Sequence, residues 1–133
     1  MELRSVGLFA GMPDRDLDRI ALQVREVRHP AGAEITVRGR EGVGFLILLE
    51  GRAEVSTPDG RTRVLGPGDH FGEMALLDQG GRSATVTATT DVVLAAIAEW
   101  NFKPFLLEHP EVAYRLLQTL SQRLREAEAD QDE

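Results

Sequence analysis

A chain of 133 residues has the length of one ordinary domain and can bury a core without help from a metal or a disulfide. It contains no cysteine, which excludes disulfide scaffolds, zinc-thiolate sites, iron-sulfur clusters and cysteine nucleophiles together. Its net charge of −7 and the terminal EAEADQDE set up a field that repels a phosphate backbone, so direct nucleic-acid binding is not expected.

The opening MELRSVGLFAGMPDRD has no sustained apolar stretch. FLILL and VVLAAIA, the longest apolar runs, fall far short of the roughly 18 residues that mark a membrane span. A soluble, cytoplasmic protein is predicted, with no membrane partner. Lys103 is the one lysine among 15 basic residues, a bias that together with the many alanines and glycines suggests a GC-rich bacterial genome.

Residues 1–25 read as an N-terminal helical part. Pro13 suits a first helical turn, Asp14 and Asp16 lie near its positive end, and Leu17, Ile20, Ala21 and Val24 form one face, with the helix ending near Arg25. Over residues 26–98 the period changes. Short apolar pieces are broken by PAG, RGREGVG, TPDG, GPGD and DQGG, the spacing of a small antiparallel β-barrel or jelly roll. FLILL (45–49) is apolar on both faces and predicts a central strand covered on both sides, whereas Arg52 to Ser56 alternates and predicts one wet face. STPDGR joins that strand to Thr62-Arg63-Val64-Leu65 as a hairpin, with Pro58 presetting the turn and Gly60 tolerating positive φ. In SATVTATT, Ala84, Val86 and Ala88 alternate with Thr85, Thr87 and Thr89, which predicts one packed and one hydroxylated face.

From residue 99 to 129 the period is helical again, followed by an acidic tail at 130–133. Asn101 to Leu107 forms a short segment. Pro110 then starts a long amphipathic helix on which Ala113, Leu117, Leu120, Leu124 and Ala127 recur at spacings of four and three. Two readings of that stripe are open: it packs back on its own barrel, or it is the seam of a dimer. The fold class is therefore mainly β with flanking helices (α+β): an antiparallel jelly-roll barrel, an N-terminal helix, a short helix after residue 72, and C-terminal helices. No repeat or low-complexity linker divides the chain, so 1–133 is expected to be a single domain.

The chemistry concentrates in FGEMALLDQGGRSATVTA, residues 71–88. If Gly72 turns the backbone and Glu73 to Leu77 forms one helical turn, its free N–H groups make an anion site into which Arg82 and the Ser83 hydroxyl point. A carboxylate there repels a bare anion, so Glu73 calls for a ligand with a hydroxyl donor beside its phosphate, as a nucleotide ribose supplies. The competing reading is a surface salt bridge between Glu73 and Arg82, contributing about 0–1 kcal/mol and without function.

FGEMALL followed by RSATV resembles the phosphate-binding cassette of cyclic nucleotide-binding domains, found in bacterial catabolite activator proteins, regulatory subunits of cyclic-AMP-dependent kinase and cyclic-nucleotide-gated channels. PAGAEI, FLILLEGRAEV, LGPGDHFGE and HPEVAYRLLQTLSQRLRE follow the family's order over nearly the whole chain. The resemblance implies a cassette over residues 71–86. In it Glu73 accepts from the ribose 2′-OH, Arg82 pairs with the exocyclic phosphate oxygens, and Ser83 donates to the same phosphate. Backbone N–H groups around Gly72, Met74 and Ala75 complete the cradle. Leu65, Phe71, Thr85 and Val86 are candidate walls, for each of which core packing is an equal explanation. The loop before the central strand is about one residue shorter than is common in the family, and Gly81 stands where many members have proline. Ala127 and Glu128 occupy the positions of a Thr-Ser pair that reaches adenine in the bacterial activators; Gln122, Arg123 or Arg125 are candidates to stack on or bond to the base instead, and for each an ordinary solvated side chain is the competing reading. Serine after the arginine is more usual with cyclic AMP than with cyclic GMP, so Ser83 favours cyclic AMP.

A cupin-like metal enzyme is the rival from the same barrel class, but it needs clustered histidines, and His29, His70 and His109 form no His-x-His pair. No serine or threonine has a base partner and no Gly-Lys-Ser/Thr phosphate loop occurs, so neither an enzyme nor a cofactor or metal is expected. A pseudo-sensor, its fold kept for protein contacts alone, is the remaining rival. The chain ends soon after its final helix, leaving no residues for a helix-turn-helix, kinase or channel. The expectation is a stand-alone receiver that signals through helix movement to a dimer mate or separate partner.

Overall fold

The computed structural model describes residues 2–36, 44–57, 60–73 and 84–131. A 3-10 turn, Gly7–Phe9, comes first and helix α1 (Asp14–Gln23) follows. Leu3, Val6, Leu8 and Phe9 are all buried around that turn, a piece of core with no helical or strand period to announce it. In α1, Leu17 and Ile20 are buried as expected, with Asp14 and Asp16 in the first turn where free N–H groups favour negative charge. Ala21 is exposed, however, and Val24 lies past the helix end in extended backbone. The helix stops at Gln23 because Val24 has already turned into the geometry of the strand that begins at Arg25.

Among the described residues eight strands form two four-stranded antiparallel sheets. One sheet has the order β1 (Arg25–His29), β8 (Val92–Ala98), β3 (Gly44–Glu50), β6 (His70–Phe71). The other has the order β2 (Glu34–Thr36), β7 (Thr85–Ala88), β4 (Ala53–Ser56), β5 (Thr62–Leu65). The architecture is a jelly roll, mainly β with helices. FLILL is the heart of β3, an interior strand whose Phe45, Leu46, Ile47 and Leu48 are all buried. Leu46 and Leu48 enter the core shared with Val55, Leu65, Val86 and Leu94, while Phe45 stacks instead on His70 and Phe102. β3 is thus covered on both faces, which is why its sequence does not alternate.

β4 alternates as read, with Ala53 and Val55 buried and Glu54 and Ser56 exposed, and it pairs with β5 from Ser56↔Thr62 to Ala53↔Leu65. The hairpin stands, although Pro58 lies outside the described residues. In β7, Val86 and Ala88 are buried while Thr85 and Thr87 are half-buried. The start of β3 has a steric requirement: a Cβ at Gly44 would sit 2.1 Å from the Ile97 carbonyl oxygen, so only glycine lets β8 approach there.

The chain divides into two compact units, Met1–Phe102 and Lys103–Glu133. Helix α2 (Glu99–Glu108) carries Pro104 in its interior, and helix α3 (Pro110–Gln131) starts at the expected proline. Between them the His109 N–H donates to the Phe105 carbonyl at 3.0 Å and the two rings lie 5.0 Å apart, so His109 is buried at the corner. The stripe expected on α3 is displaced. Val112 and Leu116 are the buried residues, Ala113 and Leu120 are half-buried, and Leu117, Leu124 and Ala127 are exposed. The apolar residues of this helix occupy two adjacent faces, which a single 3.6-residue period cannot separate. None of the described helices is long and apolar enough to cross a membrane.

Candidate functional site

The stretch before the predicted site is clipped onto β3. Gly68 N–H donates to the Leu48 carbonyl at 2.7 Å, Leu48 N–H donates to the Asp69 carbonyl at 2.8 Å, and the Asp69 carboxylate accepts from Gly66 N–H at 2.8 Å. This turn delivers the chain into β6, where His70 pairs with Ile47 and Phe71 with Leu46. Gly72 then takes φ 98°, a left-handed value that a side chain would strain, and turns the chain out of the sheet as the sequence required.

The next residue is Glu73, and it is 1% exposed. Glu73 is therefore not a surface charge, while Arg82, its partner in the salt-bridge reading, lies outside the described residues. Its Oε1 lies 3.5 Å from Nδ1 of His70, which is itself 4% exposed. Enclosing a carboxylate costs several kcal/mol unless polar groups replace its water. The imidazole three residues earlier is one such group.

His70 is the residue that sequence reasoning passed over. The sequence offers it only as a metal ligand, whereas the structure sets it against the carboxylate. The signal available was a histidine three positions before Glu73, in a two-residue strand whose other member is Phe71. His29 is on β1 and His109 at the α2–α3 corner, and among the described residues no group of three His, Asp or Glu is placed to hold a metal.

Of the other candidates, Leu65 and Phe71 are buried in the inter-sheet core with Leu46 and Val86, so any wall they form is also part of that core. Thr85 is half-buried on β7 opposite Ser56. Met74, Ala75, Arg82 and Ser83 lie outside the described residues, as do Gly80 and Gly81. Gln122 and Arg125 are exposed on α3 and Arg123 is half-buried there, with Gln122 Nε2 donating to Glu126 Oε1 at 3.3 Å one turn on. The structure thus brings Phe71, Gly72 and Glu73 together at the exit of β6, with Leu65 in the same core. A separate cleft of about 750 Å³ opens by the end of α1, lined by Leu22, Val27, Ile35, Leu46 and Trp100 among others, and none of the predicted ligand residues is on its described lining.

A family model described as the cyclic nucleotide-binding domain matches residues 26–109. The chain is 32% identical over 130 residues to the cyclic AMP receptor protein of Thermus thermophilus, an alignment covering 94% of this chain and 60% of that protein. It is 37% identical over 119 residues to a cyclic nucleotide-gated potassium channel of Rhizobium etli, covering 90% of this chain and 33% of the channel. Among solved structures, the Thermus thermophilus catabolite activator protein matches with a TM-score of 0.84 at 32% identity, over 94% of this chain and 61% of that one. The chain spans between 33% and 60% of the length of these two curated relatives.

Proposed function

Because the chain belongs to the cyclic nucleotide-binding domain family, we propose that it is a regulatory sensor, not an enzyme, whose ligand is cyclic AMP. The observation that carries this reading is the carboxylate of Glu73, buried immediately after the left-handed Gly72. A buried acid at the exit of an edge strand is an expensive feature for stability alone, and a ribose hydroxyl is a donor that fits it. Arg82 and Ser83 bind the cyclic phosphate together with the N–H groups around Gly72, Met74 and Ala75. Leu65, Phe71 and Thr85 border the ligand, and Gln122, Arg123 and Arg125 are the candidates for the base. Residues 1–133 act as one cytoplasmic domain, without metal or cofactor.

The choice between nucleotides rests on Ser83 and on the naming of the Thermus relative for cyclic AMP. Calorimetric titration with cyclic AMP and cyclic GMP tests it. Saturable binding with cyclic AMP the tighter ligand is expected; cyclic GMP the tighter ligand reverses the choice, and heat from neither leaves a module of protein contacts only.

Output passes through the segment from Trp100 to Glu128 to a second copy or a partner protein. Leu117 at 63% and Leu124 at 60% exposure supply an apolar surface for such a contact on α3. A ligand that signals must contact two states differently, so amide hydrogen exchange in α2 and α3 should slow on saturation. Identical exchange with and without nucleotide would sink the switching part of the proposal.

A further inference from the structure

We infer that His70 is a positioning residue of the binding site, holding Glu73 ionised and in place to accept from the ribose. This rests on the reading of Glu73 as the ribose acceptor. Two side chains only 5% and 2% exposed meet with Nδ1 3.5 Å from Oε1. In such a setting a carboxylate without polar company takes up a proton and loses its capacity as a charged acceptor, whereas an N–H at the Nδ1 that faces it favours the ionised form.

The imidazole is itself held from two sides. Its backbone is fixed opposite Ile47 by the β3–β6 pairing. Its ring lies 5.3 Å from that of Phe45, which in turn lies 5.2 Å from Phe102. A rotamer change at His70 would disturb the Phe45 ring, which is backed by Phe102, so the packing restrains the nitrogen that faces Glu73. Gly72, left-handed at φ 98°, turns the chain between the two residues and lets position 73 come back against position 70. The surroundings of His70 also argue for a polar task. Phe45 is buried against its ring and is in turn backed by buried Phe102, and an apolar side chain would suit a site that needed only packing.

The test compares cyclic AMP with 2′-deoxy cyclic AMP on the parent, His70→Phe and His70→Gln. The parent should prefer the nucleotide with the hydroxyl by about tenfold or more, the worth of one hydrogen bond to a charged acceptor. If the parent binds both alike, the ribose reading of Glu73 fails, and this inference with it. Given that preference, His70→Phe should lose about tenfold in affinity for cyclic AMP while its affinity for the deoxy nucleotide stays within about twofold. His70→Gln, which keeps an N–H donor, should retain part of the preference. Thermal unfolding of each unliganded variant monitors the fold, and should His70→Phe not fold, His70→Gln decides alone by an intermediate preference. A parental preference in a folded His70→Phe, or equal loss of both nucleotides, overturns the inference and leaves Glu73 as the acceptor by itself.

Discussion

Arg82→Ala is expected to weaken cyclic AMP binding by roughly thirtyfold to several thousandfold, about 2–5 kcal/mol, in a calorimetric titration. The ligand phosphate carries one negative charge, and the chain that receives it carries a net −7. Long-range repulsion therefore works against binding, and the positive charge must be local. A guanidinium meets two phosphate oxygens at once through parallel N–H donors, which a hydroxyl or a set of amides does not replace. On the proposed site, alanine in its place would leave the phosphate with Ser83 and backbone N–H groups but no cation. Arg82→Lys should fall between the two, since an ammonium restores the charge without the fork. Parental affinity in Arg82→Ala would place the phosphate elsewhere on the protein.

The strands were legible because burial in a two-layer sheet leaves a signature on alternate residues. Ala53, Val55, Val86 and Ala88 carry it, and β3 was legible for the opposite reason, being apolar at every position from Phe45 to Leu48. Legibility failed where burial follows no period. Leu3, Val6, Leu8 and Phe9 surround a 3-10 turn and contribute core without a repeat. On α3, Val112 and Leu116 are buried while Leu117 and Leu124 are not, because apolar residues on neighbouring faces look alike until the helix is set in its surroundings. At the site, Gly72 and Glu73 stood out as a turn residue and a charge within an apolar run. His70 did not, since its meaning depends on being enclosed with Glu73, and enclosure is a tertiary property.

Glu73→Ala carries the second large effect: an affinity loss for cyclic AMP of about 1.5–3 kcal/mol, roughly tenfold to a hundredfold or more, for removal of one bond to a charged acceptor. The loss is smaller than for Arg82 because the phosphate stays paired and only the sugar contact goes. It should be confined to nucleotides that carry the 2′-hydroxyl, so that 2′-deoxy cyclic AMP binds variant and parent alike. Glu73→Gln retains a carbonyl acceptor without the charge and should lie between. Stability follows a different course. Glu73 is 1% exposed beside His70, and removing one member of a buried pair leaves the other without it, so the unliganded Glu73→Ala protein should unfold at a lower temperature than the parent. The two effects separate by ligand: a general loosening of the site weakens both nucleotides together, whereas loss of the ribose contact weakens only one. Equal weakening of both would show that Glu73 acts by holding the turn at Gly72 and not by meeting the sugar.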